Sequence, residues 1–215
     1  APPYRVEFSL NGFIILVILA FLAVHLLLRL GARIARTPGE VRATRRRRNI
    51  DRARNRQDAA LVALLEGRYG KARQFAEEAL AIPYSGGLPA LIGARAAADM
   101  REFAAAEALL ARPDVTVPSL AVPRLMLEAD MALAQDQPGV ALEKLAQLKR
   151  EAGLHTAALR LEVRALTAAR RFPEIPAIVD QLVKRKVYDE EQGGLVRATA
   201  HAEALTGFRH DAAGL

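Results

Sequence analysis

The sequence predicts an all-α chain: one transmembrane helix followed by a solenoid of helical hairpins. Three observations predict it. Residues 12–30 are an apolar run whose strongly polar members are His25 and Arg29. Arginines follow at once, at Arg33, Arg36, Arg42, Arg45, Arg46, Arg47, Arg48, Arg52, Arg54 and Arg56. Beyond residue 53, aromatic and small residues return at a spacing of 34 or 35.

The apolar run comes first because it fixes the rest. As a helix rising ~1.5 Å per residue it is roughly 28 Å long, close to the hydrocarbon thickness of a bilayer. The arginines follow the run instead of preceding it, and no small-residue cleavage site appears after it, so a cleaved signal peptide does not fit. Positively charged flanks stay inside, which is expected to place the N-terminus out and everything after residue 30 in the cytoplasm. The domains expected are an outer leader (1–11), a transmembrane helix (12–35), an Arg-rich juxtamembrane segment (36–52) and repeats (53–215). In the leader, Tyr4 suits headgroup level. Thr37-Pro38-Gly39 is expected to break the helix leaving the membrane.

Charge is unevenly placed. The formal net charge is +7, but residues 29–56 hold 11 arginines against Glu40 and Asp51. Beyond residue 56 there are 19 Lys and Arg against 21 Asp and Glu. Basicity therefore belongs to the membrane junction, not to a nucleic-acid-binding domain. No stacking aromatics are interleaved with Arg45, Arg46, Arg47 and Arg48, so anionic lipid headgroups are the expected partner and nucleic acid is not. The chain has no cysteine, which removes disulfides, thiolate metal sites and a Cys nucleophile. It starts at Ala1 and ends at Leu215 inside its own pattern, and reads as a piece of a longer protein.

From residue 53 the sequence is rich in Ala, Leu, Glu and Arg and is interrupted by Gly, Pro or Asp, which predicts short helices. The turns align: Gly67-Arg68-Tyr69, Arg101-Glu102-Phe103, Gln137-Pro138 and Arg171-Phe172. The expected first residues of the second helices are Tyr69, Phe103, Pro138 and Phe172. Ala60, Ala94 and Ala129 recur on the first helices, and Ala72, Ala106 and Ala141 on the second. Two helices cross closely only where side chains are this small, and an aromatic at the turn plugs the open end. This is the logic of the tetratricopeptide repeat, whose unit is 34 residues. Units are expected at 53–86, 87–121, 122–155 and 156–189, with a partial one at 190–215 whose turn lies near Phe208. Val163 and Ile175 stand where small residues are expected, so the fourth hairpin should splay more.

No catalytic constellation appears. His25, His155, His201 and His210 are never i, i+4 partners, and Gly86-Gly87 and Gly193-Gly194 lack any phosphate-loop context. The chain is expected not to be an enzyme and to hold no metal. Such arrays bind protein segments on a concave face lined by first helices. Counting along each unit, the inward candidates are Arg54, Gln57, Leu61, Leu91, Arg95, Asp99, Met126, Asp130, Leu133, Arg160, Arg164 and Thr167. Arg95, Arg160 and Arg164 suit carboxylates of an acidic tail or of a porphyrin, because guanidinium matches carboxylate bidentately. The plainer reading is pairing with neighbours such as Glu162, or solvation. His25, near the inner edge of the span, reaches headgroups cheaply; haem ligation there is the sharper alternative.

Pro3-Tyr4-Arg5-Val6-Glu7-Phe8-Ser9-Leu10-Asn11, the span, Arg45–Arg48 and Leu64-Leu65-Glu66-Gly67-Arg68-Tyr69 together resemble the N-terminal domain of the proteobacterial HemY family. The resemblance is most specific over residues 2–70. It implies an inner-membrane tetratricopeptide protein associated with haem biosynthesis, with an earlier span before this segment and further repeats after it. The function expected is a membrane-anchored scaffold that gathers haem-biosynthesis enzymes at the cytoplasmic face, without a cofactor of its own. Alternatives are a direct porphyrin or haem carrier, and a repeat-containing regulator of envelope lipid synthesis. The last kind carries a Cys-paired metal-binding module after its repeats.

Overall fold

The computed structural model describes the backbone of residues 10–213, and side chains for 13–29 and 44–206. Every regular element among the described residues is helical: α1 (Leu10–Leu65), α2 (Tyr69–Leu80), α3 (Leu88–Asp99), α4 (Phe103–Leu110), α5 (Ala121–Ala134), α6 (Pro138–Ala152), α7 (Thr156–Ala168), α8 (Ile175–Lys184) and α9 (Glu190–Ala213). Single 3₁₀ turns stand at Pro118–Leu120 and Phe172–Glu174. The chain divides into two compact units, residues 1–51 and 52–215.

The first unit is helical from Leu10 onward. From Phe13 to Leu28 every large apolar side chain is exposed, by 48% at Ile14 to 72% at Phe21, with no apolar partner to cover it among the described residues. The Phe21 and His25 rings stack at 6.3 Å. Among the described residues no helix is long and apolar enough to cross a membrane; the described side chains of this run stop at Arg29. The expected break at Thr37-Pro38-Gly39 does not occur, because α1 continues through it to Leu65. A proline inside a helix removes one hydrogen bond and does not by itself end the helix when strong helix formers stand on both sides. The first hairpin therefore starts on the tail of α1. Leader residues 1–9, including Tyr4, lie outside the described residues.

In the second unit the helices follow the 34-residue register. The second helices begin at Tyr69, Phe103 and Pro138, with the 3₁₀ turn beginning at Phe172. Before each, one residue takes a left-handed conformation: Gly67 (φ 73°), Arg101 (61°), Asp136 (58°) and Arg170 (56°). The next amide then reaches back five residues, Arg68 to Ala63, Glu102 to Ala97, Gln137 to Ala132 and Arg171 to Leu166, at 2.8–2.9 Å. These are Schellman ends, which satisfy the orphan carbonyls of the finished helix and turn the chain back along it. The same closure at each of these four turns sets the period, and it recurs at the end of α8, where Lys186 has φ 58° and the Val187 amide reaches Leu182 at 3.0 Å.

The small residues sit where the helices cross. Ala60, Ala94, Ala129, Ala72, Ala106 and Ala141 are all completely buried. Tyr69, Phe103 and Phe172 are half-buried and pack against the cores of their hairpins. Leu125, Leu145 and Leu148 fill the third hairpin, and Leu159, Val179 and Leu182 the fourth. Val163 and Ile175 are buried, and α7 and α8 meet over less of their length than α5 and α6 do.

The glycine pairs have structural reasons. A Cβ at Gly87 would strike the Asp114 carbonyl, and one at Gly193 the Val183 side chain. α9 is one helix through Glu190–Ala213, so Phe208 does not stand at a turn as expected. Ala200 of α9 is buried on α8, whereas Leu195 and Leu205 stay exposed.

Candidate functional site

The first helices of units two to four bring a consistent face together. α3, α5 and α7 are the odd members of successive hairpins, so equivalent positions recur about 34 residues apart and fall side by side. They frame an open groove of about 670 Å³. Its walls are mainly apolar, with Leu88, Leu91 and Ile92 from α3, Pro123, Met126 and Leu127 from α5, Ala157 and Leu161 from α7, and Leu64 at one end. Arg95, Asp130, Arg160 and Arg164 supply its charge.

Asp130 is the hub. Arg95 Nη1 donates to its Oδ2 at 2.8 Å, and Arg164 Nη1 to its Oδ1 at 3.0 Å. Arg95 also donates through Nε to Asp99 at 3.1 Å, and its Nη2 lies 3.1 Å from the other oxygen of that carboxylate. Burial works against the Arg95 charge, but Asp99 and then Asp130 outweigh it, so its pKa is raised. All three Arg95 nitrogens are thus engaged. Arg164 has its one contact, to Asp130, and Arg160 has no acidic partner among the described residues.

Of the inward candidates, Leu91, Arg95, Met126, Asp130, Arg160 and Arg164 converge on this groove. Asp99 touches it only through Arg95. Leu133 packs into the core of α5 and α6 instead, and the Thr167 hydroxyl donates to the Val163 carbonyl. Arg54, Gln57 and Leu61 do not line the groove; Leu61 is 44% exposed. Glu162 pairs with neither Arg160 nor Arg164. Burial raises its pKa, Lys149 opposing and Glu174 adding to the effect. The apolar lining from Leu88, Ile92, Pro123, Leu127, Ala157 and Leu161 was not anticipated. Arg45, Arg46, Arg47 and Arg48 lie in the first unit with exposed side chains.

A family model described as HemY protein N-terminus matches residues 1–101. That stretch belongs to the HemY family. The match associates the chain with haem biosynthesis and covers α1, the first hairpin and α3. No curated protein and no solved structure matches the chain. Of the groove, the HemY match reaches Leu91 and Arg95; Met126, Asp130, Arg160 and Arg164 lie beyond it.

Proposed function

We propose that this HemY-type chain is a membrane-anchored adaptor whose repeat unit holds a segment of a partner protein, the partners being enzymes of haem biosynthesis. One observation carries the reading: three repeats contribute to a single groove that pairs an apolar floor with arginines. Such grooves bury a partner's apolar side chains and use a few polar groups for orientation. The anchor is residues 12–30. Among the described residues nothing covers the exposed run from Phe13 to Leu28, and lipid is the medium in which such a run is stable. Arg45, Arg46, Arg47 and Arg48 then rest on anionic headgroups, each worth roughly 1 kcal/mol. Confinement to a surface raises effective concentration, so a protein without chemistry of its own can change flux.

Topology is testable because the chain lacks cysteine. Ser9→Cys is expected to react with an impermeant maleimide in intact cells and Ser119→Cys only after lysis; the reverse pattern overturns the orientation. The adaptor role is tested by crosslinking in membranes, followed by purification in mild detergent. Haem-pathway enzymes are expected with the native chain and not with Met126→Glu.

Direct porphyrin binding is the second reading, favoured by Arg160, which has no acidic partner among the described residues, beside an apolar wall. Titration with haem separates the two: a saturable Soret shift abolished by Met126→Glu supports the carrier, and an unshifted spectrum supports the adaptor.

A further inference from the structure

The three arginines of the groove are not equivalent, and the difference indicates what the partner segment carries. Arg95 is consumed by Asp99 and Asp130. Arg160 and Arg164 stand one turn apart on α7, Arg160 with no acidic partner among the described residues and Arg164 with a single contact. Both line the groove together with Leu161 of α7 and Met126 and Pro123 of α5.

Resting on the adaptor reading, we infer that Arg160 and Arg164 form a carboxylate clamp for an acidic, apolar segment of a partner protein, and that Asp130 occupies part of that clamp when the groove is empty. The segment presents a Glu or Asp to the two guanidinium groups and an apolar side chain, about one helical turn away, to the floor. Charge complementarity sets this choice. The groove offers three guanidinium groups to one lining carboxylate, and its spare donors all lie on α7. A basic segment would meet like charges, and an uncharged one would leave Arg160 facing an apolar ligand. Asp130 holds Arg164 by one oxygen, so an incoming carboxylate exchanges with it instead of finding an empty cation. This lowers affinity but keeps Arg164 aimed across the groove.

The experiment is a selection of displayed random 12-residue peptides on the full chain in detergent, followed by fluorescence anisotropy with the enriched peptides. Enrichment in Asp or Glu together with Leu, Ile, Met or Phe is expected. Arg160→Gln should weaken binding about tenfold or more, since it removes charge-assisted hydrogen bonds. Asp130→Asn should tighten it about threefold, whereas a purely structural Asp130 would give weaker or unchanged binding. Circular dichroism of each variant checks that the helices persist. Enriched peptides without acidic residues, or an Arg160→Gln affinity equal to that of the native chain, overturn the clamp while leaving the groove as a docking surface. Peptides whose binding ignores Met126→Glu, or no enrichment at all, overturn both.

Discussion

Asp130 Oδ1 accepts a hydrogen bond from Arg164 Nη1 at 3.0 Å, and the two residues are 34 positions apart. The bond therefore joins neighbouring repeats at equivalent heights. Its companion, Arg95 Nη1 to Asp130 Oδ2, spans 35 positions. One carboxylate on α5 ties three successive first helices together, on the face that frames the groove.

Loss of that carboxylate should be felt as stability. The ion pairs are partly exposed, at 44% and 65% for the arginines and 28% for Asp130, so solvent screens them. Asp130→Ala is expected to lower unfolding stability by about 1 kcal/mol or less. In urea melts followed by circular dichroism, its deficit should shrink between about 0.1 M and 1 M salt. A deficit that salt does not touch would mean the carboxylate acts by packing.

The alanine crossings should resist enlargement. Ala94 and Ala129 have no exposed surface, so Ala94→Leu and Ala129→Leu must push two helices apart, at about 1–3 kcal/mol or more each. Ala104→Leu, on the exposed face of α4, should stay within about 0.5 kcal/mol of the native chain. Equal effects at Ala94 and Ala104 would contradict the close crossing.

The left-handed turn residues give a pair of opposite outcomes. Arg170 adopts φ 56° with a Cβ to accommodate, so Arg170→Gly should stabilise the fourth hairpin by about 0.5–1 kcal/mol. Gly67 has φ 73° and open space where a Cβ would go. Gly67→Ala should thus cost about 1 kcal/mol from the backbone alone. Thermal melts of the two variants should move in opposite directions.

Much of this fold was legible because its period is written in few residue types. Tyr69, Phe103 and Pro138 mark the turn and the six alanines the crossing in the first three units: the former each begin a second helix, and the latter are all completely buried. Thr37-Pro38-Gly39 misled because helix breakers are local signals, whereas the flanking Ala- and Arg-rich sequence favours helix on both sides. Phe208 misled for the converse reason: an aromatic in register does not make a turn without a residue that ends the helix. The groove was half legible. A helical count from each unit start found Leu91, Met126 and Arg160 but could not give each helix its rotation, so Leu88, Ile92 and Leu161 were missed. Asp130 as the common acceptor of Arg95 and Arg164 depends on how consecutive repeats stack, which no single hairpin encodes.

Glu162 supplies the pH dependence. Burial lifts its pKa above the ordinary 4.5, with Lys149 lowering it and Glu174 raising it. The folded chain therefore holds this proton more tightly than the unfolded one, so stability from this site is greatest in acid. It falls as pH rises above about 4.5, until the folded carboxyl has also ionised. Glu162→Gln should flatten that fall and leave stability at neutral pH equal or higher, by less than about 0.5 kcal/mol. A melting temperature that drops at pH 7 in the variant would show that the carboxylate is a net stabiliser.

The closure repeated at Gly67, Arg101, Asp136 and Arg170 makes each hairpin a self-finished module, and packing in unit 2 runs mainly between sequence neighbours. Cooperativity is then a property of adjacent pairs and not of the whole unit. Heating should unzip the stack from an end, with amide exchange slowest around Leu125 and Leu148 and fastest along α9. Excising one whole period should let the flanking modules meet across a similar seam.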